Sequence, residues 1–512
     1  MTADGVINRM ATGAQCQLLR APSIRIAMRR LVAGRRSWHG WRRFSSSTAQ
    51  PVRIAVVGSG PAGFYVAGSL LRQLPAATVD IFDKQPVPFG LVRFGVAPDH
   101  PEVKNCIHQF EQLFDKSDGR VNLFCNVAIG SDLTVEELRA DYHAVVMAYG
   151  AERERRLGVP GEQAANCISG RSFVGWYNGL PQDRHLAIDF DTDTAIVIGH
   201  GNVALDCARV LLSPLDRLAS TDLSDYALEA LAKSRVERVI LVGRRGPLQV
   251  SFTIKELREL VNLPGSTAIV ESTDLEATRD IVASLPRPRR RLTELMLKAA
   301  DAKLKSDQTK SWQLLFRRTP LQVLTAAERV SGARFGMNDL VDPLTEKARA
   351  VITDREETIQ CGLILYSIGY QTIVLPGLPF NQSGHVIRTI DGCRVEDLPG
   401  VYATGWCARG PTGVIASTQA EAKATADLIC ADVESGALQR REDRPGTEGT
   451  KRRLMERRVQ WISWDDWRRV DCTEREMGQV RGKPREKLTS VMDIVRVARG
   501  TGGSSADGGG GV

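Results

Sequence analysis

The chain has 512 residues, too many for one ordinary domain and enough for two or three at roughly 100–200 residues each. Apolar residues make up 43% and charged residues 25%, which excludes a disordered, collagen-like or disulfide-scaffold chain. The net charge of +8 invites a nucleic-acid reading, but residues 1–50 carry nine arginines against one acid, Asp4. The rest of the chain therefore sums to zero, and that reading falls.

Residues 1–50 are rich in Arg, Ser and Ala and poor in acid, the composition of a mitochondrial transit peptide. Arg25, Arg29 and Arg30 interrupt any apolar core a secretory signal would need. This segment is expected to be disordered and is set aside from the fold. No apolar run approaches the roughly 18–20 residues of a spanning helix, so the chain is not transmembrane, while a peripheral place at the inner membrane stays open.

Val52-Arg53-Ile54-Ala55-Val56-Val57 reads as a strand, running into Gly58-Ser59-Gly60-Pro61-Ala62-Gly63 and an apolar helix through Leu74. A second strand, from Thr78 to Phe82, ends at Asp83. Strand, G-x-G-x-x-G, helix, strand and terminal acid form a dinucleotide-binding unit. Gly58 makes the turn, Gly60 admits a pyrophosphate to the backbone, and Gly63 lets helix pack on strand. Asp83 would accept from ribose hydroxyls.

The grammar recurs. A strand from Thr194 to Ile198 leads into Gly199-His200-Gly201-Asn202-Val203-Ala204 and a helix to Leu212. After an insertion near 213–235, the strand from Arg238 to Val242 ends in Gly243-Arg244-Arg245. Two arginines replace the acid, so a 2′-phosphate is accommodated and NADP(H) preferred. Near the end, the strand Gly400-Val401-Tyr402-Ala403-Thr404-Gly405 precedes Pro411-Thr412-Gly413 and a small-residue helix to Ile429. In two-dinucleotide flavoproteins such a strand closes the FAD site.

The expected fold is α/β: two Rossmann-like dinucleotide-binding domains, the NADP domain inserted into a discontinuous FAD domain. The boundaries are 51–157 and 365–500 for FAD and 158–364 for NADP. Crossovers are expected at Gly158-Val159-Pro160-Gly161 and Ser367-Ile368-Gly369-Tyr370. A solvated helix or loop is expected over 440–458 and a disordered Gly-rich tail over 501–512.

Two dinucleotides on one chain suggest that hydride passes from NADPH to a flavin. Ten cysteines contain no C-x-x-C or other close pair, so a dithiol relay, a zinc ribbon and an iron–sulfur ligand set are all unsupported. The seven histidines form no metal pattern, and no metal is expected. A monooxygenase, passing electrons to oxygen and a substrate, would need an apolar pocket that the sequence does not exclude; the remaining natural reading is export to an external carrier.

The run from Phe82 to Pro101, with Pro88-Phe89-Gly90-Leu91-Val92-Arg93-Phe94-Gly95-Val96-Ala97-Pro98-Asp99-His100-Pro101 at its heart, resembles the adrenodoxin reductase family of NADPH:ferredoxin oxidoreductases. So do Gly199 to Asp206, Val242 to Pro247, Phe252 to Leu257 and Gly405 to Gly413. The resemblance covers about residues 51–500. It implies an FAD enzyme of the mitochondrial matrix that takes hydride from NADPH and gives single electrons to an acidic [2Fe–2S] ferredoxin. Downstream, such electrons support P450, haem or iron–sulfur pathways.

By matching motifs, the FAD contacts are Ala62, Asp83, Leu91, Val127, Trp406, Gly413, Val414 and Ile415. NADP contacts are Gly199, His200, Gly201, Asn202, Arg244, Arg245, Glu256 and Gly413. Arg287, Arg289, Arg290 and Arg291 match the basic surface for the ferredoxin. His100 and Asp206 are a candidate supporting pair near the flavin ring. Asp83 stands where the family commonly has Glu, and His200 where Gln is usual; a protonated His200 would make NADPH binding pH-dependent. A non-catalytic flavin-binding protein that kept the fold is disfavoured by both glycine turns, both arginines and the Ala403-Thr404-Gly405 strand. A glutamate-synthase-type subunit would need N-terminal cysteine clusters that residues 51–120 lack, and a flavoprotein reductase serving a different acceptor remains the alternative.

Overall fold

The structure, a computed structural model, describes residues 51–302, 308–439 and 443–500. The transit segment, the Gly-rich tail and the first three residues of the 440–458 stretch lie outside the described residues. From 447 to 456 that stretch is helical. Among the described residues no helix is long and apolar enough to cross a membrane.

Two parallel sheets organise the chain. The first has five strands in the order Val401–Ala403, Ala144–Met147, Arg53–Val57, Thr78–Asp83, Val121–Cys125. Their interiors read as β-branched and apolar runs because both faces are covered: Ile54, Ala55, Val56 and Val146 are wholly buried. The register sets Val57 opposite both Phe82 and Met147, and Met147 opposite Ala403. The carboxyl ends of four strands thus finish level, which is where an open α/β sheet leaves a crevice for ligands.

The Pro61–Gln73 helix opens with proline, whose missing N–H is no loss in the first turn. It packs beside the Ile415–Ser435 helix through Ala67, Leu70, Ala422, Ala426 and Ile429. The small residues of the later helix allow this close approach.

The second sheet has six parallel strands in the order Cys167–Ser169, Leu363–Tyr366, Thr194–Ile198, Arg238–Val242, Lys310–Leu315, Ser266–Val270. Ile198 lies opposite Val242 and Tyr366, again aligning strand ends. Helices fill one face with Leu205, Ala208, Leu257 and Met296. The other face is covered by an antiparallel meander, Arg318–Ala326, Arg329–Val341 and Arg349–Gln360, through Val323, Val330 and Phe335. Nothing in the sequence pattern announced this meander.

The chain passes between the sheets twice. The two passages pair with one another, Arg153–Glu154 antiparallel to Tyr370–Gln371. The expected crossovers thus sit one short step inside the pairing on the first passage and directly on it at the second. Because Leu363–Tyr366 is a strand of the second sheet, a division at 364/365 cuts through that strand, and the chain leaves the sheet only after Tyr366.

Candidate cofactor-binding site

The first glycine turn is built as its spacing requires. Gly58 has φ +113°, and a Cβ there would run into the Ala148 carbonyl; one on Gly63 would strike the carbonyl of Gly58. A Cβ on Gly60 would meet nothing within 4 Å, so this glycine leaves a free cradle in front of the helix. Residues 89–91 close over it: the Phe89 amide donates to Ser59 O (3.0 Å), and Gly90 lies against Gly60. Leu91 is 38% exposed beside the turn, while Ala62 is buried and abuts Gly405.

Asp83 ends its strand as expected, but its carboxylate is already engaged. Oδ2 accepts from the Ser59 amide (2.8 Å) and hydroxyl (2.6 Å), and Oδ1 from the Gln85 amide (2.9 Å). Burial nevertheless pushes the acid up from its ordinary value. The short side chain folds back onto the glycine turn, so a ribose must use the lone pairs that remain. Val127 is buried next to it and donates its amide to Asp83 O (2.9 Å).

Trp406 follows Gly405, which lies against Ala62. Its ring centroid is 6.0 Å from that of Tyr370 on the crossover, and its indole N–H donates to Thr412 O (3.1 Å). This holds the segment in which Gly413, at φ +82°, and the exposed Val414 lead into the helix starting at Ile415. No protein group accepts from the amides of Ile415 and Ala416 among the described residues, leaving two donors for a ligand.

In the second turn Gly199 has φ +137° and lies against Ser367 O, whereas Gly201 faces open space. Asn202 begins its helix and accepts the Thr253 amide on Oδ1 (2.8 Å). His200 departs from expectation. Its ring turns inward onto Gly243 and Phe316, and Nε2 donates to Leu241 O (3.0 Å). Burial pushes it down to about 4. The side chain is thus neutral near pH 7 and does not reach out to a phosphate; only its backbone belongs to the turn. Arg244 is exposed and Arg245 half-buried, and among the described residues no carboxylate lies within ion-pair distance of either.

His100, Asp206 and Glu256 offer ligand atoms within 4.8 Å of one another. The His100–Asp206 pair suggested by the sequence thus lies within a larger cluster. Arg209, with no exposed surface, sits among them, bonded to Asp99 (2.6 Å), Asp206 (2.7 Å) and Glu256 (3.3 Å), while His100 bonds Glu259. Asp99, Arg209 and Glu259 were not foreseen; the available signal was an arginine on the apolar side of the Asn202–Leu212 helix. Four acids outnumber the one guanidinium. Burial first, then the charge of Asp206, pushes Glu256 up to about 7, so it can carry a proton at neutral pH. A cation is disfavoured by Arg209 in its midst.

The basic run opens the Arg287–Ala300 helix. Arg287 and Arg291 are exposed and Arg290 partly so. Arg289 does not share their face: its Nη1 donates to Val250 O (3.0 Å), beside the loop that follows Arg245. The residues at both turns fit dinucleotides, with free cradles, free amides and uncompensated arginines where phosphates would lie.

Residues 52–261 match the family described as pyridine nucleotide-disulphide oxidoreductase. The chain is 48% identical over 464 residues to human mitochondrial NADPH:adrenodoxin oxidoreductase, covering 89% of this chain and 93% of that one. It is 41% identical to the Arabidopsis thaliana protein of the same name, covering 89% and 97%. Among solved structures, FprA of Mycobacterium tuberculosis in complex with NADPH matches with a TM-score of 0.82 and 34% identity, over 88% of this chain and all of that one. All nine described cysteines are free. Sequence likeness along nearly the whole folded length, together with two dinucleotide turns on two linked sheets, places the chain in the NADPH:adrenodoxin oxidoreductase family of oxidoreductases.

Proposed function

We propose that the protein takes hydride from NADPH onto FAD and passes electrons singly to a [2Fe–2S] ferredoxin in the mitochondrial matrix. The observation that carries this reading is the contrast between the two turns: an acid closes the first, and two arginines without counter-charge close the second. FAD belongs to residues 51–157 and 367–500, with Gly58, Gly60, Ala62, Gly63, Asp83, Leu91, Val127, Trp406, Gly413, Val414 and Ile415 around it. NADPH belongs to 158–364, with the later boundary taken beyond Tyr366.

FAD, when bound, supplies the conversion of a two-electron hydride into single electrons. The chain supplies position. The level strand ends and the paired crossover hold the two crevices in one unit of residues 50–512, and Trp406 and the free amides of 415 and 416 orient what lies between them. Glu256 can carry a proton in a buried network that includes Arg209, and Glu256 and His100 are positioning groups of the nucleotide half.

Relatives carrying this name are called mitochondrial, in accord with the arginine-rich leader. Arg287, Arg290 and Arg291 offer an exposed basic surface to an acidic ferredoxin on a folded body of zero net charge. Docking of this kind is electrostatically steered and salt-sensitive.

The test is NADPH-driven cytochrome c reduction by the purified flavoprotein, with and without a mitochondrial [2Fe–2S] ferredoxin, and with NADH as control. Strong ferredoxin dependence that fades with added salt, and weak activity with NADH, is expected. NADPH oxidation that ignores the ferredoxin would keep the flavin assignment and remove the partner.

A further inference from the structure

We infer that Arg289 belongs to the nucleotide site rather than to the docking surface: with Arg244 and Arg245 it completes the pocket for the 2′-phosphate and sets the preference for NADPH over NADH. This rests on the nucleotide assignment proposed above.

The argument begins with helix geometry. Arg287 and Arg291 are four residues apart and share a face, whereas Arg289 is turned about 200° from Arg287 at about 100° per residue. It accordingly points inward, with its side chain 21% exposed, and its guanidinium donates to Val250 O at 3.0 Å. Arg245 donates to the preceding carbonyl, Gln249 O, at 3.4 Å. Neighbouring carbonyls of one loop therefore hold two guanidinium groups side by side.

That loop is rigidly placed. The Gln249 side chain accepts from the Gly246 amide (2.9 Å) and donates to the carbonyls of Pro343 (3.0 Å) and Thr345 (2.6 Å). Burial first, then the charges of Arg244 and Arg289, lower the proton affinity of Arg245. Among the described residues the only carboxylate in ion-pair reach of Arg289 is Glu346, 3.6 Å away and 70% exposed, a weak counter-ion that a dianion displaces. Three cations brought together around one loop, with no buried acid paired to them among the described residues, suit a phosphate monoester, whose oxygens accept several charge-assisted hydrogen bonds at once. The sequence run of four arginines conceals this, because adjacent letters on a helix face different directions.

The experiment compares Arg289→Gln, Arg289→Lys and Arg245→Gln as FAD-loaded enzymes. KM and kcat for NADPH and for NADH are measured with ferricyanide, which bypasses the ferredoxin, and KM for a [2Fe–2S] ferredoxin is measured separately by cytochrome c reduction. Affinities for adenosine 2′,5′-bisphosphate and for 5′-ADP are measured by calorimetry. Arg289→Gln should raise KM for NADPH on the order of tenfold, weaken the 2′,5′-bisphosphate alike, and leave kcat, NADH and 5′-ADP within about twofold. Arg289→Lys should recover part of the loss.

If NADPH and NADH weaken together, Arg289 merely supports the loop and the inference is overturned. If only KM for ferredoxin rises, Arg289 is a docking residue and the inference is equally overturned. Should Arg245→Gln alter nucleotide selectivity while Arg289→Gln does not, this inference alone fails. Should neither alter it, the nucleotide assignment itself fails.

Discussion

At the scale of single residues, the structure turns several side chains away from where the motif spacing aims them. His200 occupies the second turn, yet its imidazole is an interior group hydrogen-bonded to Leu241 O. With burial holding it at about 4 against roughly 6.5 in the unfolded chain, the unfolded state takes up the proton first. The stability contributed by keeping it neutral is whole above about pH 6.5 and is lost as the pH falls toward about 4. Urea titrations at a series of pH values should show this acid limb, and His200→Gln should flatten it. NADPH affinity should show no dependence on His200 between about pH 6 and 8, measured as the same pH profile in wild type and variant. Asp83 teaches a related lesson: a carboxylate at the right strand end, read from spacing, can spend its bonds on its own backbone.

Among elements, the glycine turns divide into two kinds that sequence does not distinguish. Gly58 and Gly199 have positive φ and press on backbone carbonyls, so the chain itself requires them. Gly60 and Gly201 face open space and are required only by what binds. Gly58→Ala and Gly199→Ala should therefore destabilise the fold by more than about 2 kcal/mol, seen in chemical denaturation. Gly201→Ala should fold normally and keep its flavin, while KM for NADPH rises about tenfold, equivalent to about 1.4 kcal/mol of lost binding. A Gly201→Ala enzyme with unchanged KM would contradict the placement of the phosphates.

Both strand–turn–helix units were legible because every signal lies within about thirty residues: a β-branched run, glycines at set intervals, then a helical period. The antiparallel meander was not. Its first hairpin turns at Ala327 and Glu328, both with positive φ, a conformation that usually advertises itself as Asn-Gly or Asp-Gly. Its last strand, Arg349–Gln360, is largely exposed and charged, so it carries little apolar alternation.

For the whole molecule, electrostatics ties together segments far apart in the chain. Asp222, in the insertion of the second sheet, bonds Lys104 (2.7 Å) and Lys487 (3.0 Å) from two other segments. Burial would push its carboxyl up, yet the two lysines hold it well below the usual range. Lys483 adds bonds to Leu223 O (2.7 Å) and Asp225 (2.6 Å), so residues 481–489 strap the insertion to the remainder. Asp222→Asn leaves two buried ammonium groups without their carboxylate. It should lower stability by about 3–5 kcal/mol, read by thermal or chemical unfolding, more than any single surface ion pair would.

The sequence by itself determined the two dinucleotide units, their order, the choice of acid at one and arginines at the other, the lack of any closely spaced cysteine pair, and the family. Each is written in local spacing or in composition, and local backbone rules translate such spacing directly into turns, strands and helices. Only the tertiary structure decided which way His200 faces, that Arg209 binds Asp99, Asp206 and Glu256 into one network, and that Arg289 leaves its neighbours to stand beside Arg245. A charge in a sequence has a sign but no surroundings. Its partners, burial and proton affinity arise when segments tens to hundreds of residues apart are packed together, and the packing is what turns a charged letter into a functional or structural group.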